Sequence, residues 1–239
     1  KGTYRFLNNH NLSNNNNKLN GIKNSQIIAH YKGFGIGYGF INQWWGPGIH
    51  SSITLSSNSS DIKTYSVGTF REITFKNFSL YSKLIISQKQ AYTSDYKTAN
   101  DPYDIFISGI NSYFKYFSNP EVKIGFNRLI LSNNYPGYLS NTSLDKWNIR
   151  DSIKPIFQPI FSQSNIGSDQ SAIGSPGFDP WNQLMSAYVN LSFPKDNLDL
   201  FIEVASDDKR ANLSDFLAHW DHTIGYLIGF NKSFVVNNY

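Results

Sequence analysis

The chain has 239 residues, 40% hydrophobic and 16% aromatic, with charged residues at only 16%. Such an aromatic chain is not disordered, and no run reaches the ~18 apolar residues that a membrane-crossing helix needs. With no cysteine and a formal net charge of +4, disulfide scaffolds and thiolate metal sites are excluded. The charge bias without a dense Lys/Arg cluster argues against nucleic acid and allows attraction to an acidic polymer.

Residues 8–24 hold the tract Asn14-Asn15-Asn16-Asn17 and read as a loop. Alternation begins near residues 26–32 and is clearest at 33–40. There Phe34, Ile36, Tyr38 and Phe40 share one face, and the other face carries only glycine. Residues 49–56, 65–75, 79–90, 103–117 and 121–131 are also strand-like. Turn signals such as Asn100-Asp101-Pro102, Ser118-Asn119-Pro120 and Asn133-Asn134-Tyr135-Pro136-Gly137 separate them. Residues 144–163 differ: Trp147, Ile149, Ile153 and Ile156 precede Pro159. A short helix over 144–153 is expected, as a loop or plug insertion, and residues 164–180 read as a long connection.

Beyond it, Met185, Ala187, Val189, Leu191 and Phe193 alternate with Ser186, Tyr188, Asn190 and Ser192. Leu198, Leu200, Ile202 and Val204 oppose Asp199, Phe201 and Glu203. Ile224, Tyr226, Ile228 and Phe230 oppose Gly225, Leu227 and Gly229. A soluble sandwich would charge its outer face. Here the face opposite the apolar rows holds Gly, Ser, Asn and Thr, which suits a barrel with lipid outside and a polar or crowded interior. The expected fold is all-β: an antiparallel transmembrane β-barrel, one domain over residues 1–239, of roughly a dozen strands at ~10 residues per span, as the whole or part of a larger barrel. No signal peptide opens the chain, so localisation rests on the strand pattern.

Chemistry-bearing groups are sparse. Gly33–Gly39 is no phosphate loop, because no helix is expected after it. His219-Trp220-Asp221-His222 lacks a third metal ligand at a convincing spacing. Glu203 with Asp207 and Asp208, followed by Lys209 and Arg210, reads as a charged strand end rather than a catalytic carboxylate pair. No catalytic motif, metal site or cofactor site is expected. Asn-x-Ser/Thr triplets at Asn58, Asn77, Asn141 and Asn231 matter only on a eukaryotic secretory route. Trp44-Trp45-Gly46-Pro47-Gly48 is the most unusual local feature. It reads either as an interfacial anchor with a tight turn or as a platform on which sugar rings stack.

Four stretches in order resemble the Wzi family of capsule-assembly outer-membrane proteins. They are Asn42–Asn58 around the Trp-Trp-Gly-Pro-Gly turn, Ile107 to Leu129 with Gly125-Phe126-Asn127-Arg128, Asn182-Gln183-Leu184-Met185, and Leu200–Asp208 followed by His222–Phe230. The resemblance covers residues 30 to 232. It implies a non-enzymatic, lectin-like barrel in the bacterial outer membrane that retains capsular polysaccharide. The family's barrel has roughly eighteen strands of usual spanning length, more than this chain holds. On this reading Trp44, Trp45, Trp147 and Trp181 are candidate glycan contacts. Arg71, Arg128, Glu203, Asp207 and Asp208 are candidate polar lumen positions. The partners are extracellular polysaccharide and outer-membrane lipid, with oligomeric state open. The rival readings are a porin or transport channel, with Arg71, Arg128 and Glu203 setting ion selectivity, and a secreted soluble β-sandwich that binds glycan.

Overall fold

The structure is a computed structural model that describes residues 25–40, 43–56, 63–91, 103–133, 156, 181–207 and 224–234. Among them the chain forms ten strands in one antiparallel sheet. They are β1 Ser25–Tyr31, β2 Phe34–Phe40, β3 Lys63–Thr69, β4 Ile73–Phe75, β5 Phe78–Ala91, β6 Tyr103–Tyr116, β7 Glu121–Asn133, β8 Trp181–Phe193, β9 Leu198–Asp207 and β10 Ile224–Lys232. The order is β1-β2-β3-β5-β6-β7-β8-β9-β10, with β4 also paired to β5. Because β3 and β4 both run antiparallel to β5, they act as one crossing interrupted by a bulge at residues 70–72. Strand neighbours are chain neighbours throughout, as expected of a meander built from hairpins.

The alternation read in the sequence sorts onto the two faces without exception in the registers of β2, β8, β9 and β10. Glu203 opposes Tyr188 and Leu227, whereas Ile202 opposes Val189 and Ile228. One face carries the apolar row of every strand. Apart from Ile28, all exposed large hydrophobic residues of the strands lie on it. Its rim near the short turns is aromatic: Tyr31, Phe34, Phe75, Phe78, Phe114 and Tyr116 are all exposed. Phe78 packs against Phe75 at 5.6 Å and against Phe114 at 5.3 Å between ring centroids.

The two ends of the sheet differ. One end is closed by tight connections at residues 32–33, 76–77, 117–120 and 194–197, the last a 3-10 turn over Pro194–Asp196. The other end carries all the long connections, 41–62, 92–102, 134–180 and 208–223.

Several expectations are corrected. Among the described residues the sheet has ten strands where roughly a dozen were expected for the chain, and it is not closed into a barrel: β1 and β10 are its edges. Residues 49–56 form no strand. Their one ladder contact is the bridge between Trp45 and Leu55, because this stretch folds over the sheet instead of joining it. The helix expected over 144–153 lies outside the described residues. Ile156, expected in a loop or plug, has its carbonyl on the apolar face, where it accepts from Arg128.

The sheet is curled about the segment 43–56. In a flat sheet six lateral steps, about 29 Å, separate β2 from β9, and the registers set Glu203, level with Tyr188, seven residues along from the level of Phe40, so that the two would stand about 37 Å apart. The six residues from Phe40 to Gly46 span at most about 22 Å. Yet Gly46 lies so close to Glu203 of β9 that a Cβ there would stand 2.7 Å from Oε2. Only a curled sheet brings the two together, with the glycine- and serine-bearing face on the concave side.

Candidate functional site on the occupied concave face

The β2–β3 connection fills the concavity. Trp45, 2% exposed, forms a buried cluster with Ile85 and Leu129, flanked by Leu55, Ile107 and Leu184. Gly109 makes room for it: a Cβ there would come within 2.7 Å of the indole Cη2. The segment is held by the Trp45 amide donating to the Leu55 carbonyl at 2.9 Å, and by Ser52 Oγ donating to the Trp45 carbonyl. Trp44 Nε1 donates to the Gly48 carbonyl at 2.8 Å. Gly46, at φ 141° and hard against Glu203, needs to be glycine on both counts. Further along, Gly48 approaches Leu227 and Ile53 approaches Gly225, so the segment reaches β10.

Beneath it a polar ladder crosses four strands. Asn111 Nδ2 donates to Asn127 Oδ1. Asn127 Nδ2 donates to Ser186 Oγ at 2.9 Å, and Ser186 Oγ donates to Glu203 Oε1 at 2.7 Å. Thr54 Oγ1, from the segment, donates into the same serine at 2.7 Å. All five are buried, Glu203 completely. Buried polar groups of this kind require partners; the ladder supplies them except at Glu203 Oε2, which lies against Gly46, and it ties the filling segment to the wall.

Toward the short turns the concave face becomes aromatic and charged. Tyr81 and Tyr113 stack at 4.9 Å. Lys123 Nζ stands 4.9 Å from the centre of the Tyr113 ring. A recess of about 230 Å³ is lined by Lys115, Glu121, Lys123, Asn190, Ser192 and Asp199, with Lys115 and Glu121 paired at 2.7 Å. Tyr188 lies over Gly125 and Phe201 over Gly229, each directly across the ladder. The glycines of alternate positions thus serve as floors for rings from the next strand. At the rim, Glu72 accepts from Ser79 Oγ at 2.7 Å and from Tyr113 Oη at 2.9 Å.

The candidate residues separate. Glu203 is at the centre of the concave face. Asp207 shares that face four residues on, exposed at the end of β9. Arg71 sits exposed in the β3–β4 bulge beside Gly33, at the short-turn end. Arg128 lies on the opposite face from Glu203, because it pairs with Met185 and not with Ser186. There it is buried, donating Nε to Gln183 Oε1 and Nη1 to the Ile156 carbonyl, each at 2.8 Å. Arg128 therefore lines no interior. Trp45 is buried in the cluster and offers no ring face to a sugar, whereas Trp44 is 38% exposed. Trp181 opens β8; Trp147 and Asp208 lie outside the described residues. Sequence reasoning missed the ladder of Asn111, Asn127, Ser186 and Thr54. Its one signal was the polar side of the alternation, which marks a face but not which members touch.

No grouping of His, Asp and Glu among the described residues could hold a metal ion. Comparison with known family models, with curated proteins and with solved structures found no match.

Proposed function

We propose that the chain forms the wall and filling of an outer-membrane β-barrel that binds or anchors surface polysaccharide without enzymatic activity. Three features support the membrane part of the reading. The face that looks outward from the curl is apolar and exposes its large side chains except around Arg128, where Phe106, Ile130 and Gln183 are buried, and an aromatic belt rims its short-turn end. Strands of ten to fourteen residues in β5 to β9 exceed or match the roughly 9–11 of a tilted span, and short turns at one end oppose long loops at the other. The resemblance of Asn42–Asn58 and its successors to the Wzi family supplies the polysaccharide part, with the long-loop end facing outward.

The observation that carries this reading over that of a diffusion channel is the buried Trp45 segment, which occupies the space a porin keeps open. Two measurements test it. Purified protein in a planar bilayer should be nearly silent. Cells lacking the gene should release surface polysaccharide into the medium while still making it. Large steady conductance, or unchanged retention of polysaccharide, overturns the proposal. Trp44, exposed in the segment 43–56, is placed to meet glycan, and Trp44→Ala should lower retention while leaving the fold intact.

A further inference from the structure

The recess at the short-turn end of the concave face carries no net charge. Among the described residues it is lined by two lysines, two carboxylates, an amide and a hydroxyl: Lys115, Lys123, Glu121, Asp199, Asn190 and Ser192. All six are half-buried. No apolar side chain is among them, whereas most small-molecule pockets are largely apolar with only a few polar groups.

The registers set these residues in two rows. Lys115, Lys123 and Asn190 stand level on β6, β7 and β8. One inward position nearer the short turns, Glu121, Ser192 and Asp199 stand level on β7, β8 and β9. The rings beside them lean elsewhere, which leaves the space. Phe201, level with Asn190, lies over Gly229 on the β10 side, and Tyr188, one inward position deeper, lies over Gly125.

Within the recess the charges divide into a closed pair and an open one. Lys115 and Glu121 pair at 2.7 Å. Lys123 and Asp199 belong to strands two steps apart, about 10 Å in a flat sheet, and no ion pair joins them. The Lys123 ammonium stands instead 4.9 Å from the centre of the Tyr113 ring. Asn190, level with Lys123, and Ser192, level with Asp199, lie on the strand between. An occupant therefore meets an ammonium donor on the β7 wall, a carboxylate acceptor on the β9 wall, and groups that both donate and accept on the floor.

A hydroxyl donates once and accepts twice, so a ring bearing several can meet Lys123 and Asp199 together without adding a charge. Hydrogen bonds to such ionised partners are about twice as strong as neutral ones. A lone anion would gain from the lysines but face Glu121 and Asp199, and a lone cation the reverse. The volume of about 230 Å³ equals that of roughly eight waters. That is room for one sugar ring and not for an oligosaccharide.

We infer that this recess is a subsite for a single uncharged sugar ring, held by Lys123, Asp199, Asn190 and Ser192. The inference rests on the polysaccharide reading and deepens it, adding a glycan contact among the inward side chains of the short-turn end.

The test is saturation-transfer NMR titration of the purified full-length protein in detergent. Glucose, galactose, mannose and N-acetylglucosamine are the probes; glucuronate, inorganic phosphate and glycine are the comparators. The expected result is binding of at least one of the four neutral sugars with a dissociation constant on the order of 1 mM, as suits so small a ligand. Asp199→Asn and Lys123→Gln should each weaken it at least about tenfold, the loss of a hydrogen bond to a charged group. Lys195→Gln, exposed at the same end but outside the recess, should leave it unchanged. Asp199→Asn keeps the size of the side chain and breaks no ion pair with Lys123, and an unaltered mobility of the folded form in gels checks that each variant folds. Binding of none of the four sugars, or binding that both recess variants leave unchanged, overturns the inference. Tighter binding of glucuronate or phosphate overturns it in favour of an anion site, and tighter binding of glycine in favour of a zwitterion site. Release of polysaccharide by cells lacking the gene, read separately, tells a failure of this inference from a failure of the polysaccharide reading.

Discussion

Placing a lysine at Ile202 separates lipid from water as the medium on the apolar face. Ile202 is midway along β9, outward, between Val189 and Ile228, and already 42% exposed. In water a lysine at such a site would snorkel freely, and a surface substitution of this kind shifts stability by no more than about 0.5 kcal/mol. In a bilayer the same ammonium is expelled from hydrocarbon. At mid-depth it costs about 2–4 kcal/mol, falling to about 0–1 kcal/mol near the interface. A series at Leu198, Leu200, Ile202 and Val204 moves the charge by about 6.7 Å of strand per step on one face. The expected cost rises from near zero at Leu198, beside the short turn, to its maximum at Ile202. That maximum is about a thirty- to seven-hundred-fold change in the folding constant. Urea titration of folding into lipid vesicles measures it, with the slope held constant so that midpoints compare. A flat profile, or a lysine at Ile202 within about 0.5 kcal/mol of the parent chain, would refute the lipid-facing assignment and return the apolar rows to a water-exposed or sheet-covered role.

Trp45→Ala should destabilise by about 3–5 kcal/mol, the usual cost of emptying a buried tryptophan site. Trp44→Ala should lose nearer 1 kcal/mol with its hydrogen bond; equal losses at the two positions would place the segment differently. Gly125→Ala should cost about 1–3 kcal/mol, because its Cβ would fall about 2.1 Å from the Tyr188 ring. In a double-mutant cycle Tyr188→Ala should relieve it, and strict additivity would show that the two do not touch.

The sequence by itself determined the class of fold and the identity of each face. Side chains of a strand alternate with period two whatever the strand pairs with, so the outward set of Phe34, Tyr226 or Ile202 and the inward set of Gly37, Ser186 or Glu203 could be read before any partner was known. What alternation cannot carry is the path of a segment that leaves the sheet. Residues 49–56 have the composition of a strand, and Trp44 and Trp45 are chemically the same residue. Only the curl of the sheet put one ring in the cluster beside Ile85 and Leu129 and left the other at the surface. Parity along β7 already set Arg128 apart from Asn127. It took the carbonyl of Ile156, reached through a connection whose course no local pattern encodes, to show that the arginine is buried on the outward side. Tertiary structure decided these points because they depend on contacts between residues far apart in the chain, such as Thr54 with Ser186 and Gly46 with Glu203. The free energy of those contacts appears only once curvature has brought distant strands within reach.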